Sequence, residues 1–279
     1  MNRIEAIFAS RRDGRALVIP YICAGDPSAQ STCDILRAFG SMGIQIVEVG
    51  VPFSDPVGDG RSIADAARRA LDGGMTLAKT LDVCASVPHA PAIALFSYLN
   101  PIARYGIERF ARDACRSNVS GVIIADLPLD ESADIALALR RFDITLTLLI
   151  APGTPLSRAV AIAEASDGFA YVVSRLGVTG SSIEPYIGAV ERRLTLLRSH
   201  TKRPLAVGFG VAQPEHVRRL AGQADGIVVG SALVDAVAHR KHSDDPAATA
   251  QKFIEPLISA AAHSQLREVA GDTYVSAGD

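Results

Sequence analysis

Eight short apolar runs recur along this chain, each followed by a loop marked by Gly, Pro or Asp and then by a helical pattern. The runs are Leu17–Ile22, Ile44–Val49, Ile93–Tyr98, Gly121–Ala125, Thr145–Ile150, Phe169–Ser174, Pro204–Gly208 and Gly226–Val229. Their near-continuous hydrophobicity suits strands covered on both faces, as in a parallel sheet. Amphipathic stretches lie between them at Ser31–Met42, Ile107–Ser117, Glu131–Phe142, Leu156–Ala165 and Glu215–Ala221. Asp26-Pro27 and Gln213-Pro214 place proline at a first helical position. Eight strand–helix units in this order predict an α/β fold, a closed (β/α)8 barrel, as one domain over residues 1–263. The competitor is a doubly wound open sheet, which usually carries GxGxxG after its first strand. Here Cys23-Ala24-Gly25-Asp26-Pro27 follows instead. Asn2–Ser10 reads as an extra N-terminal helix able to cap the barrel's bottom, and the Ser/Gly/Asp-rich stretch 264–279 as a frayed tail.

The length of 279 residues suits one such barrel of about 250 residues with additions. A formal net charge of −2 gives no electrostatic case for nucleic acid or an anionic membrane. No run of about 18 apolar residues occurs, and the N-terminus lacks a signal-peptide core. A soluble, cytoplasmic protein is therefore expected, with neither nucleic acid nor membrane as partner. Cys23, Cys33, Cys84 and Cys115 show no CxxC spacing and read as free thiols in a reducing compartment. His239 and His242 stand i,i+3 without a completing Glu, the other four histidines fall in helices or linkers away from the strand ends, and no metal site is expected. Walker and GxSxG motifs are absent as well.

Candidate chemistry begins with two carboxylates eleven residues apart, Glu48 closing the second run and Asp59 in the Pro/Gly-rich loop after it. In a barrel, strand C-termini and the loops after them face the active site. Apolar Val47, Val49 and Val51 around Glu48 favour a raised pKa and a usable acid or base. The alternatives are a rim Glu paired with an arginine and an Asp-Gly turn. Gly208-Phe209-Gly210 after the seventh strand and Gly230-Ser231 after the eighth suit a phosphate site, where backbone N–H groups and a helix N-terminus hold a dianion. They also fit two tight turns. Ser174–Gly180 brackets Thr179 with glycines and reads as a lid loop. Tyr171 either points its hydroxyl at substrate or serves as a core tyrosine. The pattern is carboxylate acid–base chemistry on a phosphorylated small molecule, without metal or organic cofactor.

Taken together, Pro20–Pro27, the Glu48–Pro56 segment with its Pro-Phe-Ser-Asp-Pro string, Asp59-Gly60, Tyr98–Pro101, Ala125–Pro128, Ser174–Gly180, Gly208–Gly210 and Gly230-Ser231 resemble the tryptophan synthase alpha chain family. The resemblance implies a TIM-barrel lyase that splits indole-3-glycerol phosphate into indole and glyceraldehyde 3-phosphate. It makes Glu48 the acid/base at indole C3 and Asp59 the partner of the indole N–H, with Tyr171 beside Glu48. It puts Thr179 against Asp59; Gly180, Gly210, Gly230 and Ser231 at the phosphate; and Phe209 and Tyr21 along the pocket. It also implies a beta chain that carries pyridoxal phosphate, docked on Phe53, Asp55, Pro56 and Asn100 in an alpha2beta2 tetramer, with no cofactor in this chain. A stand-alone lyase releasing free indole, and a non-catalytic barrel that only activates the beta chain, remain alternatives. Where the family usually follows Asp-Gly with Pro, this chain has Arg61, which either pairs with Asp59 or joins Asp65 at i,i+4. Cys23 for a common Thr and Gly58 for a common Ala are milder departures.

Overall fold

The computed structural model describes residues 1–11, 15–174, 183–208, 210–241 and 243–262. Its strands are β1 (Leu17–Cys23), β2 (Ile46–Gly50), β3 (Ala92–Ser97), β4 (Val119–Ile124), β5 in two pieces (Thr145–Thr147 and Leu149–Ile150), β6 (Ala170–Val173), β7 (Leu205–Gly208) and β8 (Gly226–Val229). All are parallel to their neighbours, in chain order around the sheet, and β1 also pairs with β8. The first piece of β5 pairs with β4 and the second with β6, so both edges of the sheet meet on one strand and the barrel closes. The break falls at Leu148. Its N–H turns to the Ser166 hydroxyl at 3.2 Å, while its carbonyl accepts the Tyr171 N–H at 3.1 Å.

Both faces of these strands are covered, which is why their sequences lack polar alternation. In β2, Ile46, Val47 and Val49 are all buried. Helices surround the barrel, and local chemistry sets their starts. Ser28 caps Ala29–Ser41, Thr76 caps Leu77–Ala85, and Pro214 opens Pro214–Leu220 as expected. The expected helix start at Pro27 is corrected: the Asp26-Pro27 bond is cis, Asp26 is held by Arg69 through two 2.8 Å hydrogen bonds, and the helix waits for the Ser28 cap. The connections after β2 and β3 each hold two helices, Arg61–Asp72 with Leu77–Ala85 and Leu99–Tyr105 with Ile107–Arg116.

The N-terminal helix Arg3–Ala9 closes the barrel's bottom. Asn2 caps it and donates to the Ser120 carbonyl at 2.9 Å. Ile4 is fully buried, and a Cβ at Gly121 would lie 2.7 Å from its Cδ1, so glycine there makes room for the plug. Phe8 meets Phe169 with ring centroids 5.4 Å apart. No helix among the described residues is long and apolar enough to cross a membrane.

Candidate active site

The opposite, C-terminal end of the strands holds a cleft lined by Tyr21, Glu48, Asp59, Ile63, Phe96, Tyr171, Gly210, Val228, Gly230 and Ser231. Four of these are inward-pointing strand residues, because alternate residues of a barrel strand face its interior. Tyr21 and Glu48 are directly paired across β1 and β2, and Phe96 and Tyr171 enter from β3 and β6. Two glycines make room for the two tyrosine rings. A Cβ at Gly50 would lie 2.6 Å from Tyr21 Cζ, and one at Gly208 would lie 2.7 Å from Tyr171 Cζ. Each tyrosine therefore lays its ring over the end of a neighbouring strand.

Glu48 is 1% exposed, and its Oε1 has no hydrogen-bond partner. It does not close β2, which runs on to Gly50; it sits inside the barrel, below the rim. Burial pushes its carboxyl well above the ordinary carboxylate range. A neutral acid with an unpartnered oxygen has a proton and a free acceptor to offer a group that enters the cleft. Burial is the main reason that the hydroxyls of Tyr21 and Tyr171 also stay protonated, helped by Cys23 and the carboxylates at Tyr21 and by the carboxylates at Tyr171.

Asp59 reaches the same cleft from the loop after β2. Burial raises its carboxyl to about 6, while a hydrogen bond from Tyr98 works in the opposite direction. The Tyr98 hydroxyl also accepts the Gly58 N–H at 3.0 Å, so one side chain grips this loop twice. Two carboxyls thus sit in unlike surroundings, one sealed and one tethered to a phenol, the condition for separate proton and charge roles. Arg61 leaves them alone: its side chain is 95% exposed, with Nε 3.6 Å from Asp65, the i,i+4 partner.

On the other side, Gly210 takes φ 80°, a left-handed conformation that favours glycine. Gly230 precedes the helix Ser231–Ala238 without a side-chain cap, so Ser231 and the first-turn N–H groups front the cleft. The expected Thr179, Gly180 and Phe209 lie outside the described residues. Phe96, Tyr98, Ile63 and Val228 were not among the sequence candidates. Phe96 and Tyr98 share the inward parity of Ala94, the β3 residue paired with Glu48, and period-2 counting along β3 could have found both.

Beyond the cleft, Phe53 lies against Tyr98 with centroids 5.4 Å apart. Asp55 and Asn100 are exposed, Pro56 is half-buried, and Val57 stands 82% exposed at the loop's tip. His216 is buried on its helix, yet it joins two segments near the cleft. Its Nδ1 accepts the Ala212 N–H at 3.3 Å, and its Nε2 lies 3.0 Å from Glu184. A larger cavity of about 440 Å³ lies at the barrel's bottom beside Arg11, Met42 and Ile258, but no carboxylate lines it. Among the described residues, no group of three His, Cys, Asp or Glu side chains is placed to hold a metal.

A profile of the tryptophan synthase alpha chain family matches residues 8–263. The tryptophan synthase alpha chain of Chloroflexus aggregans is 38% identical over 265 residues, covering 93% of this chain and 98% of that one. The Cyanothece sp. alpha chain is 42% identical over 245 residues, 85% of this chain and 90% of that one. Among solved structures, tryptophan synthase from Mycobacterium tuberculosis matches with a TM-score of 0.84 and 32% identity, over 93% of this chain and 98% of the other.

Proposed function

Since this chain belongs to the tryptophan synthase alpha chain family, we propose that Glu48 and Asp59 divide the work of its reaction between them. That reaction is the lyase step of the alpha subunit in tryptophan biosynthesis, cleavage of indole-3-glycerol phosphate to indole and glyceraldehyde 3-phosphate. The bond to be broken joins indole C3 to the carbinol carbon of the glycerol chain. Glu48 first gives its proton to C3, which becomes tetrahedral, and positive charge develops at the ring nitrogen. Asp59, ionised, accepts a hydrogen bond from the ring N–H and stabilises that charge. The Glu48 carboxylate then takes the proton of the carbinol hydroxyl. As the aldehyde forms, the electrons of the breaking C–C bond return to the ring and restore indole. Glu48 ends protonated, ready for the next turnover.

The observation that carries this reading is Glu48 itself: a sealed acid, one oxygen unpartnered, on the cleft's inner wall. Tyr171 and Tyr21 flank it and keep water from the ring. Gly210, Gly230 and Ser231 take the phosphate, with Gly180 beside them; Phe209 lines the pocket, and Thr179 meets Asp59. The chain uses no cofactor of its own. Its partner is a beta chain, in an alpha2beta2 tetramer in the cytoplasm, and pyridoxal phosphate belongs to that beta chain. The docking loop is Phe53–Val57 with Asn100, whose exposed Val57 is otherwise an unexplained apolar surface.

The test is indole release from indole-3-glycerol phosphate, with and without a beta chain. Slow release alone and strong stimulation by the beta chain are expected. Glu48→Gln should bind substrate and lose nearly all cleavage. Turnover at the wild-type rate in that variant rejects the role given to Glu48, and high unstimulated release points to a stand-alone lyase.

A further inference from the structure

We propose that Ser62 and Asp235 are positioning residues that hold the ring end and the phosphate end of the cleft at a fixed spacing. The helix Arg61–Asp72 starts two residues after Asp59, and its N-cap, Gly60, supplies no side-chain hydrogen bond. The helix Ser231–Ala238 starts at the opposite side of the cleft, behind Gly230, also without a side-chain cap. The Ser62 hydroxyl donates to Asp235 Oδ2 at 2.7 Å, joining residues 173 apart in sequence. A hydroxyl bonded to a carboxylate is among the stronger hydrogen bonds available to side chains.

A second contact runs beside the first. Ile63 is buried and lines the cleft, and its Cδ1 would stand 3.9 Å from a Cβ at Gly230. Asp235 follows Ser231 by four residues and so lies on the same helix face one turn later. The first turn of the helix behind Asp59 is thus clamped against the start and second turn of the helix behind the phosphate glycines. Asp235 is a poor candidate for gripping phosphate itself, because a carboxylate one turn into that helix repels a dianion. Its bond to Ser62 gives it a different use. Tyr98 holds the Asp59 loop from the β3 side, and Ser62 holds the helix behind it from the other, so Asp59 is set from two directions.

This rests on the reading that Asp59 faces the ring and Gly230–Ser231 the phosphate. Misplacing a charge-stabilising group by about 1 Å is able to cost up to a hundredfold in rate. Ser62→Ala should lower kcat for cleavage about tenfold, with KM and the inhibition constant of glycerol 3-phosphate unchanged. Asp235→Asn keeps an acceptor oxygen and should stay within twofold of wild type. Asp235→Ala should repeat the Ser62→Ala loss, and the double alanine variant should be no worse than either single one. Unchanged kcat in Ser62→Ala, additive losses, or a loss confined to phosphate binding would overturn the proposal. Amide hydrogen exchange at Gly58 and Asp59 reads the clamp without any reaction: Ser62→Ala should speed it and Asp235→Asn should not. Wild-type turnover in Asp59→Asn would instead defeat the role of Asp59, and the exchange result would still decide the clamp.

Discussion

Replacing Glu48 by Gln tests the electrostatics of the cleft through stability as well as rate. Folding carries Glu48 from water into a site where it is 1% exposed and its Oε1 unpartnered. Its carboxyl is raised well above the ordinary 4.5, so the folded state keeps a proton that the unfolded chain gives up once pH exceeds that value. Above the unfolded value the folded state therefore binds more protons, and stability falls as pH rises until the folded value is passed. Each pH unit in that window costs about 1.4 kcal/mol, so at pH 7 the acid costs the fold as much as about 3 kcal/mol. Glutamine has nearly the same shape and carries no such proton. Its amide brings buried donors that want partners, a pH-independent cost of about 1–3 kcal/mol. Near pH 5 the variant should be the less stable protein; by pH 7 the difference should shrink or reverse, moving by up to about 3 kcal/mol. Asp59 titrates in both proteins and drops out of the comparison. Urea unfolding of both at pH 5, 6, 7 and 8 measures the gap directly. Parallel stability curves across that range would refute the buried neutral acid, whatever the kinetics show.

Asp59 sets the acid limb of the rate. With its carboxyl raised to about 6, cleavage should climb through about pH 6 as it ionises, and Asp59→Asn should flatten that limb and cost about 10²–10⁴ in kcat, read from pH–rate profiles. Gly50→Ala should destabilise by about 1–3 kcal/mol, because its methyl group meets the Tyr21 ring; adding Tyr21→Ala should recover most of the methyl's share, a coupling measurable by a double-mutant unfolding cycle. Val57→Asp should leave unstimulated cleavage unchanged and reduce stimulation by a beta chain at least tenfold, measured by titrating that chain into the indole-release assay.

The strand–helix period was legible because burial on both faces leaves near-continuous apolar runs, and seven of the eight runs came out as single strands. Thr145–Ile150 hid its break. What marks Leu148 is a partner the sequence does not show, the hydroxyl of Ser166 just past the end of the following helix. Glu48 and Asp59 announced themselves by type and by their place in and just after the second strand. Tyr98 did not, since a tyrosine at a strand end reads as core until the loop it holds is in view. Arg61 shows the same limit from the other side. In sequence it stood open between Asp59 and an i,i+4 partner at Asp65, and the turn into the helix decides for solvent and Asp65. Pro27 misled because a cis bond and the Arg69–Asp26 contact are both invisible to local propensity.

The interruption at Leu148 also divides labour. Most of the groups around the ring precede it, namely Tyr21, Glu48, Asp59, Ile63, Phe96 and Tyr98, while Tyr171 follows it, as do the proposed Thr179 and Phe209. The groups assigned to the tail, Gly210, Gly230 and Ser231, all follow it. Reactivity and anchoring are consequently written in separate stretches of polypeptide, joined where the sheet's hydrogen bonding skips a residue. Half-barrel recombination at that seam would let an engineer diversify the aromatic chamber while inheriting an intact phosphate cradle from an untouched second half.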